Sequence, residues 1–336
     1  FAKRKILIAS TWTAEIATQL FRDYVRQPFR DFVPLYSFFC DGGSFAGGEL
    51  AIGEPFHRYY QKHISEFSEV TRMLADERSR EMLQKIVLFR CYAFEPHRLQ
   101  AKDFPYLAAQ FEDHLREVLR GSKRLLDCVS DAGLRYTISQ ALLTAPYSYL
   151  NLITPEHKTK IIDAGAFDGD TAGMFALLSP DSSIFSFEPV NELYVRLVGL
   201  SRLLTEIRPV RAAVWHHSGK IGFQENDLTP NMSGINDTTA ASTVRATSLD
   251  DFVETEGLAK VDFVKMDIEG AELQALKGAE KVLRAFKPDL AICVYHRPEH
   301  LWQIPLWIKE TVPDYNIYLD HKSQGLTDSI CFASMN

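Results

Sequence analysis

The spacing of apolar residues divides the chain into three stretches. Lys5–Ala9 is a short apolar run that predicts a strand, and Thr13–Val25 follows with Ile16, Leu20 and Tyr24 at helical spacing. The intervening turn has no glycine, so this start reads as an accessory α/β piece rather than a cofactor loop. Glycine-rich Asp41–Gly53 predicts a loop. From Phe56 to Leu152 the period becomes helical, with runs at Gln61–Leu74, Ser79–Tyr92, Phe104–Leu119 and Ser122–Leu143. Asp76 or Ser79 is placed to cap the second of these.

From Lys158 onward, short apolar runs alternate with helical spacing, which argues for a parallel sheet covered by helices. Strands are predicted at Lys160–Asp163, Ser183–Phe187, Val210–Trp215, Val261–Met266 and Asp289–Tyr295, with Lys220–Gln224 extending or flanking the third. Helices are predicted from Asn191 (as cap) to Leu204, at Ser248–Glu254, as one long helix at Ala271–Phe286, and at Pro298–Val312. Glu225–Ala241 is polar and reads as a surface loop, while Asn316–Leu319 and Ser329–Ala333 predict a closing hairpin. An open α/β sheet gathers its ligands outside the carboxyl ends of its strands. Those ends are Asp163, Glu188, Asp267 and His296.

Composition changes the picture only by exclusion. The 336 residues are 46% hydrophobic and 24% charged, with a net charge of -7. An acidic chain lacks the general basic face that nucleic-acid backbones require. No run of 18 apolar residues predicts a membrane span. Five scattered cysteines without C-x-x-C pairing fit buried free thiols in a reducing cytoplasm, so a cytoplasmic location is expected.

The candidate chemistry begins at the first strand of this half. Asp163-Ala-Gly165-Ala166-Phe167-Asp168-Gly169-Asp170-Thr171 turns from strand to helix through two glycines, whose freedom lets backbone approach a ligand. A dinucleotide loop is spaced G-x-G-x-x-G and avoids acids, because a pyrophosphate rests on the helix N-terminus. Here three carboxylates, Asp163, Asp168 and Asp170, ring the turn. They repel a pyrophosphate and suit a cofactor with an ammonium and a sulfonium, namely S-adenosylmethionine (SAM). Glu188-Pro189 ends the second strand, 25 residues after Asp163, where an acid accepts hydrogen bonds from ribose hydroxyls. The expected cofactor-binding residues are therefore Asp163, Gly165, Ala166, Phe167, Asp168, Gly169, Asp170, Thr171, Glu188 and Pro189.

Asp163–Thr171, Phe187-Glu188-Pro189, Ser248-Leu-Asp-Asp-Phe252 and Val261-Asp-Phe-Val-Lys-Met-Asp-Ile-Glu-Gly-Ala-Glu272 stand in this order, followed by Leu276-Lys-Gly-Ala279 and Val294-Tyr-His296. Together they resemble the FkbM family of SAM-dependent methyltransferases over about residues 158–336. Leu74–Arg80 looks like the helical region often found before that domain. The resemblance implies an α/β fold: a class I methyltransferase, Rossmann-like sheet of seven strands, mostly parallel, with a C-terminal antiparallel hairpin. It also implies O-methylation of a hydroxyl on a sugar or secondary metabolite, with a small-molecule or glycan acceptor. The expected organisation is an accessory α/β segment at 1–55, a helical region at 56–152 bordering the pocket mouth and shaping acceptor choice, and the methyltransferase domain at 153–336. The stretch from Arg98 to Thr159 is longer and more helical than the family pattern.

Three residues are candidates for the chemistry itself. Asp267 and Glu269 leave the fourth strand beside the expected cofactor as candidates for orienting substrate or ligating a divalent cation, and their other reading is helix capping and favourable interaction with the helix dipole. His296 is the expected proton acceptor from the alcohol, since a neutral imidazole suits that task near pH 7. Lys265, inside an apolar strand, is expected to pair with an acid. A divalent metal is the lesser expectation: His296 and His300 are spaced i, i+4 with acids nearby, but Pro298 lies between them, so a shared helical face is not assured. Two competing readings are a nicotinamide-dependent oxidoreductase on a similar sheet and a catalytically silent SAM-binding protein.

Overall fold

The computed structural model describes residues 6–8, 32–34, 54–92, 128–224, 234–235, 242–322 and 327–336. The helices expected at Thr13–Val25 and Phe104–Leu119 lie outside them. At the N-terminus β1 (Ile6–Ile8) pairs in parallel with β2 (Phe32–Pro34). The first helical run is broken at His63 into α1 (Glu54–Lys62) and α2 (Ile64–Met73). Helix α3 (Glu77–Tyr92) begins where the Asp76 carboxylate accepts from Ser79 N, so Asp76 is the cap. Asp131 caps α4 (Ala132–Thr144) by accepting from Leu134 N.

The C-terminal half starts with β3 (Lys160–Ala164), α5 (Asp170–Leu178), β4 (Ser183–Phe187), α6 (Asn191–Ser201) and β5 (Ile207–Val210). Next come β6 (Ala213–Val214), β7 (Gly219–Gln224), β8 (Gly234–Ile235) and β9 (Ser242–Thr247), which form a separate four-stranded sheet. The expected third strand, Val210–Trp215, is thus divided between two sheets, and β8 and β9 occupy ground read as loop or left unread. Helix α7 (Leu249–Thr255) is capped by Ser248. Then follow β10 (Phe263–Met266), α8 (Glu272–Lys277), α9 (Glu280–Phe286), β11 (Asp289–Cys293), α10 (His300–Thr311), β12 (Asn316–His321) and β13 (Ser329–Ser334). The single helix expected at Ala271–Phe286 is two, because Asp250 reaches over from α7 and caps the second by accepting from Lys281 N and Val282 N.

The main sheet runs β12-β13-β11-β10-β3-β4-β5. All neighbours are parallel except β13, which lies antiparallel between β11 and β12. This is the seven-stranded class I methyltransferase arrangement. Alternation decides which layer each strand residue serves. Ile161, Phe263 and Ala291 join one buried cluster, whereas Ile162, Val264 and Leu290 join the other. Both faces are covered, so the strands read as nearly continuous apolar runs.

The α1–α3 helices pack on the β12 edge, and Arg90 near the end of α3 donates to Tyr295 O just beyond the carboxyl end of β11. Leu74 forms an isolated parallel bridge with Ile317, and Ser79 Oγ accepts from Leu319 N while hydrogen-bonding the Tyr149 hydroxyl at 3.0 Å. Trp302 of α10 donates to the Tyr59 hydroxyl and stacks on His63. No helix among the described residues is long and apolar enough to cross a membrane.

Candidate functional site

Adjacent parallel strands bring Lys265 of β10 opposite Asp163 of β3. Both side chains are sealed from solvent, the ammonium 3.1 Å from Asp163 Oδ1 and donating to Gly165 O at 2.6 Å. Thr171 Oγ1 also donates to Asp163. Asp163 is therefore committed to the loop's own scaffold and does not line the cavity beside it. Gly165 adopts φ +80, and a Cβ there would lie 1.8 Å from the Asp267 carbonyl oxygen. The packing of the Asp267 backbone by itself requires glycine here. Gly169, at φ +97, faces Leu200 and Leu197 of α6. Ala166 is fully buried.

A cavity of about 280 Å³ opens at the carboxyl ends of β3, β4 and β10. Gly165, Phe167, Asp170, Thr171, Glu188, Pro189, Asp267 and Glu269 line it, as do Tyr147, Tyr295 and an apolar wall of Phe187, Leu193, Ala212 and Val214. Of the sequence-expected residues, Asp163, Ala166, Asp168, Gly169 and His296 do not. Phe167 and Glu269 hold left-handed backbone conformations at φ 49 and 54, conformations unusual for residues other than glycine and often concentrated at functional sites. Glu188 is nearly buried, and each carboxylate oxygen accepts one backbone N–H, from Val190 and from Phe167. Burial pushes Glu188 up to about 7. Burial, with Asp168 beside it, pushes Asp170 up to about 6.

Asp267 is approached by two phenols: Tyr147 donates to Oδ2 at 3.0 Å and Tyr295 to Oδ1 at 2.9 Å. Burial, then the Asp267 charge, holds both phenols well above their ordinary value, so they stay protonated donors. Sequence reasoning missed both tyrosines. Tyr147 stands in an aromatic run just before the first strand of the sheet, which was a usable signal. Among the described residues of the expected pocket-bordering region, Tyr147 alone reaches the cavity.

His296 lies behind the cavity, 2% exposed. Its Nδ1 is 2.9 Å from Glu272 Oε1, and its Nε2 is 3.4 Å from Asp267 and 3.5 Å from Glu269. Burial pulls the imidazole down, but Glu272, Glu269 and Asp267 together outweigh it and raise the ring well above its ordinary value. A histidine so placed neither faces the cavity nor is poised as a neutral base. Glu272, fully buried, accepts from Ile268 N and Gly270 N and also faces His300 Nδ1 at 3.2 Å. Glu272 thus ties down the loop before α8, and no side chain caps that helix.

Residues 163–321 match the family model described as Methyltransferase FkbM domain. These residues form an FkbM methyltransferase domain. The domain is 31% identical over 119 residues to the hexuronic acid methyltransferase AglP of Haloferax volcanii, covering 35% of this chain and 50% of that protein. It is 26% identical over 141 residues to the 2-O-methyltransferase NoeI of Sinorhizobium fredii, covering 37% of this chain and 58% of that protein. The chain thus spans about half the length of the curated relatives it matches. The structure of a methyltransferase FkbM from Methylobacillus flagellatus superposes with a TM-score of 0.58 at 17% identity, over 96% of this chain and 77% of that one, a likeness of fold. The FkbM domain sets aside the oxidoreductase reading.

Proposed function

We propose that the FkbM domain binds SAM and transfers its methyl group to a hydroxyl oxygen of a small-molecule or glycan acceptor. The observation that carries this reading is the placement of Glu188 and Asp267 on one cavity, with the acid-lined glycine turn between them. The residues fit the cofactor. Glu188 keeps lone pairs beyond its two backbone bonds, which suits ribose hydroxyl donors. Asp170, buried at the N-terminus of α5, suits the ammonium, and Phe187, Ala212 and Val214 offer an apolar wall for the adenine. When bound, SAM supplies an activated methyl carbon, its C–S bond breaking with the electron pair going to sulfur as the new C–O bond forms. Asp267, held by Tyr147 and Tyr295, is aimed to receive the acceptor hydroxyl and take up its proton. Glu269 faces the same space and orients the acceptor.

The names of AglP and NoeI support a sugar as acceptor. Calorimetry with SAM, followed by detection of S-adenosylhomocysteine across a panel of uronic acids and neutral sugars, tests the proposal. Absence of SAM binding overturns it. Tight binding with no turnover on any acceptor favours a silent binding protein.

A further inference from the structure

Behind the cavity floor, three carboxylates and two imidazoles from four elements converge. Asp267 and Glu269 come from the end of β10, Glu272 opens α8, His296 follows β11, and His300 opens α10. Asp267, Glu272 and His296 each offer a donor atom, all within 4.8 Å of one another. Glu272 and His296 are essentially sealed, at 0% and 2% exposure. Yet both ring nitrogens of His296, Glu272 Oε2 and His300 Nδ1 complete no hydrogen bond. Their nearest contacts are ion pairs, 2.9 Å from His296 Nδ1 to Glu272 Oε1 and 3.2 Å from His300 Nδ1 to Glu272 Oε2, whose geometry completes no hydrogen bond, a state uncommon for buried polar atoms. The 3.4 and 3.5 Å separations from His296 Nε2 to Asp267 and Glu269 fit donors arranged around a shared cation, which lie roughly 3.0–3.5 Å apart for bonds near 2.1 Å.

We propose that Asp267, Glu272 and His296 form a divalent-metal site at the floor of the cavity, with Glu269 and His300 beside them. The mixed carboxylate and imidazole donors select a first-row transition ion such as Mn2+ or Zn2+ over an ion that prefers oxygen alone. Pro298 does not prevent the two histidines from meeting a common partner, because Glu272 comes from another element and faces both. A cation here adds positive charge beside three carboxylates in a dry interior, and Asp267 places it against the position proposed for the acceptor hydroxyl. The site itself stands apart from the methyl-transfer reading, since metal binding is measured with neither cofactor nor acceptor present.

The test uses the full chain after chelator dialysis. MnCl2 is titrated by calorimetry, with ZnCl2 and MgCl2 alongside, and the Mn2+ complex is examined by pulsed electron paramagnetic resonance. Saturable binding of one Mn2+ per chain, with imidazole-nitrogen coupling, is expected. Glu272→Gln and His296→Gln are each expected to weaken it at least ~10-fold. Failure of the wild-type protein to bind both Mn2+ and Zn2+ saturably, a spectrum without nitrogen coupling, or undiminished binding in both variants overturns the site. If either variant does not fold, the wild-type spectrum decides. SAM calorimetry on the same samples separates the two claims: lost metal binding with SAM binding retained leaves the methyl-transfer reading standing.

Discussion

Lys265 and Asp163 form an ion pair 3.1 Å long between neighbouring strands, with neither side chain accessible to solvent. The pair ties the glycine turn to the strand that carries Asp267. Removing one partner leaves a buried charge unmatched, at a cost of about 3–5 kcal/mol. Asp163→Asn and Lys265→Met are each expected to lose that much in urea unfolding, and the double variant less than their sum. Additive losses in the cycle would show that the pair does not couple.

Gly165 and Gly169 differ in what a side chain meets. At 165 a Cβ lies 1.8 Å from the Asp267 carbonyl oxygen, part of a strand end that cannot yield. The cost at 165 is therefore one of packing within the fold itself. Gly165→Ala is expected to cost more than about 4 kcal/mol. At 169 the obstacle is the Leu200 Cδ2 methyl at 2.8 Å, which can shift, so Gly169→Ala is expected to cost about 1–3 kcal/mol, mostly from φ +97. Equal stabilities in denaturant titration would refute this ranking.

Glu188 couples pH to cofactor affinity. As a carboxylate it accepts from ribose hydroxyls, and burial holds it near 7. SAM binding is expected to weaken as pH falls through about 7, and Glu188→Ala to lose roughly 1–3 kcal/mol of affinity and most of that pH dependence. The sign for stability is opposite. A folded value above the unfolded one of about 4.5 means that this group favours folding when protonated, below about 4.5, and that the contribution is lost as pH rises through 7. Wild type is therefore expected to lose roughly 2–3 kcal/mol relative to Glu188→Ala between pH 4.5 and 8. Calorimetry and denaturation at several pH values check both signs.

Asp267→Asn keeps the shape of the site while removing the proton acceptor. Turnover is expected to fall roughly 10²–10⁴-fold with SAM affinity retained. Tyr147→Phe, which removes one donor to Asp267, is expected to have a smaller effect of the same kind. Near-normal turnover in Asp267→Asn would move the proton to another group.

Ser79 links α3 to the sheet edge through Tyr149 and the Leu319 amide while fully buried. Ser79→Ala is expected to cost about 1–3 kcal/mol of stability and to leave SAM affinity unchanged, because this edge lies away from the cavity. Weakened SAM binding in a folded Ser79→Ala protein would contradict that separation.

Local pattern was enough for the alternating half of the chain. The apolar runs at Ile161, Phe185, Val264 and Ala291 announced strands covered on both faces, and the ends of those strands announced Glu188 and Asp267. Asp163 shared the same strand-end signal, yet the fold spends it on Lys265, a pairing that depends on the register of β3 against β10. The sequence placed His296 near Asp267 but could not orient it: three carboxylates from β10 and α8 enclose it behind the cavity lining. Tyr147 and Glu272 reach the site across 120 and 5 residues from Asp267, through a loop and a helix start whose directions no periodicity encodes. What the sequence determined was the order of elements and the chemistry of their ends, because both are local. Which acid remains available to a ligand was decided only by packing, because a carboxylate's role depends on what the rest of the fold brings within reach of it.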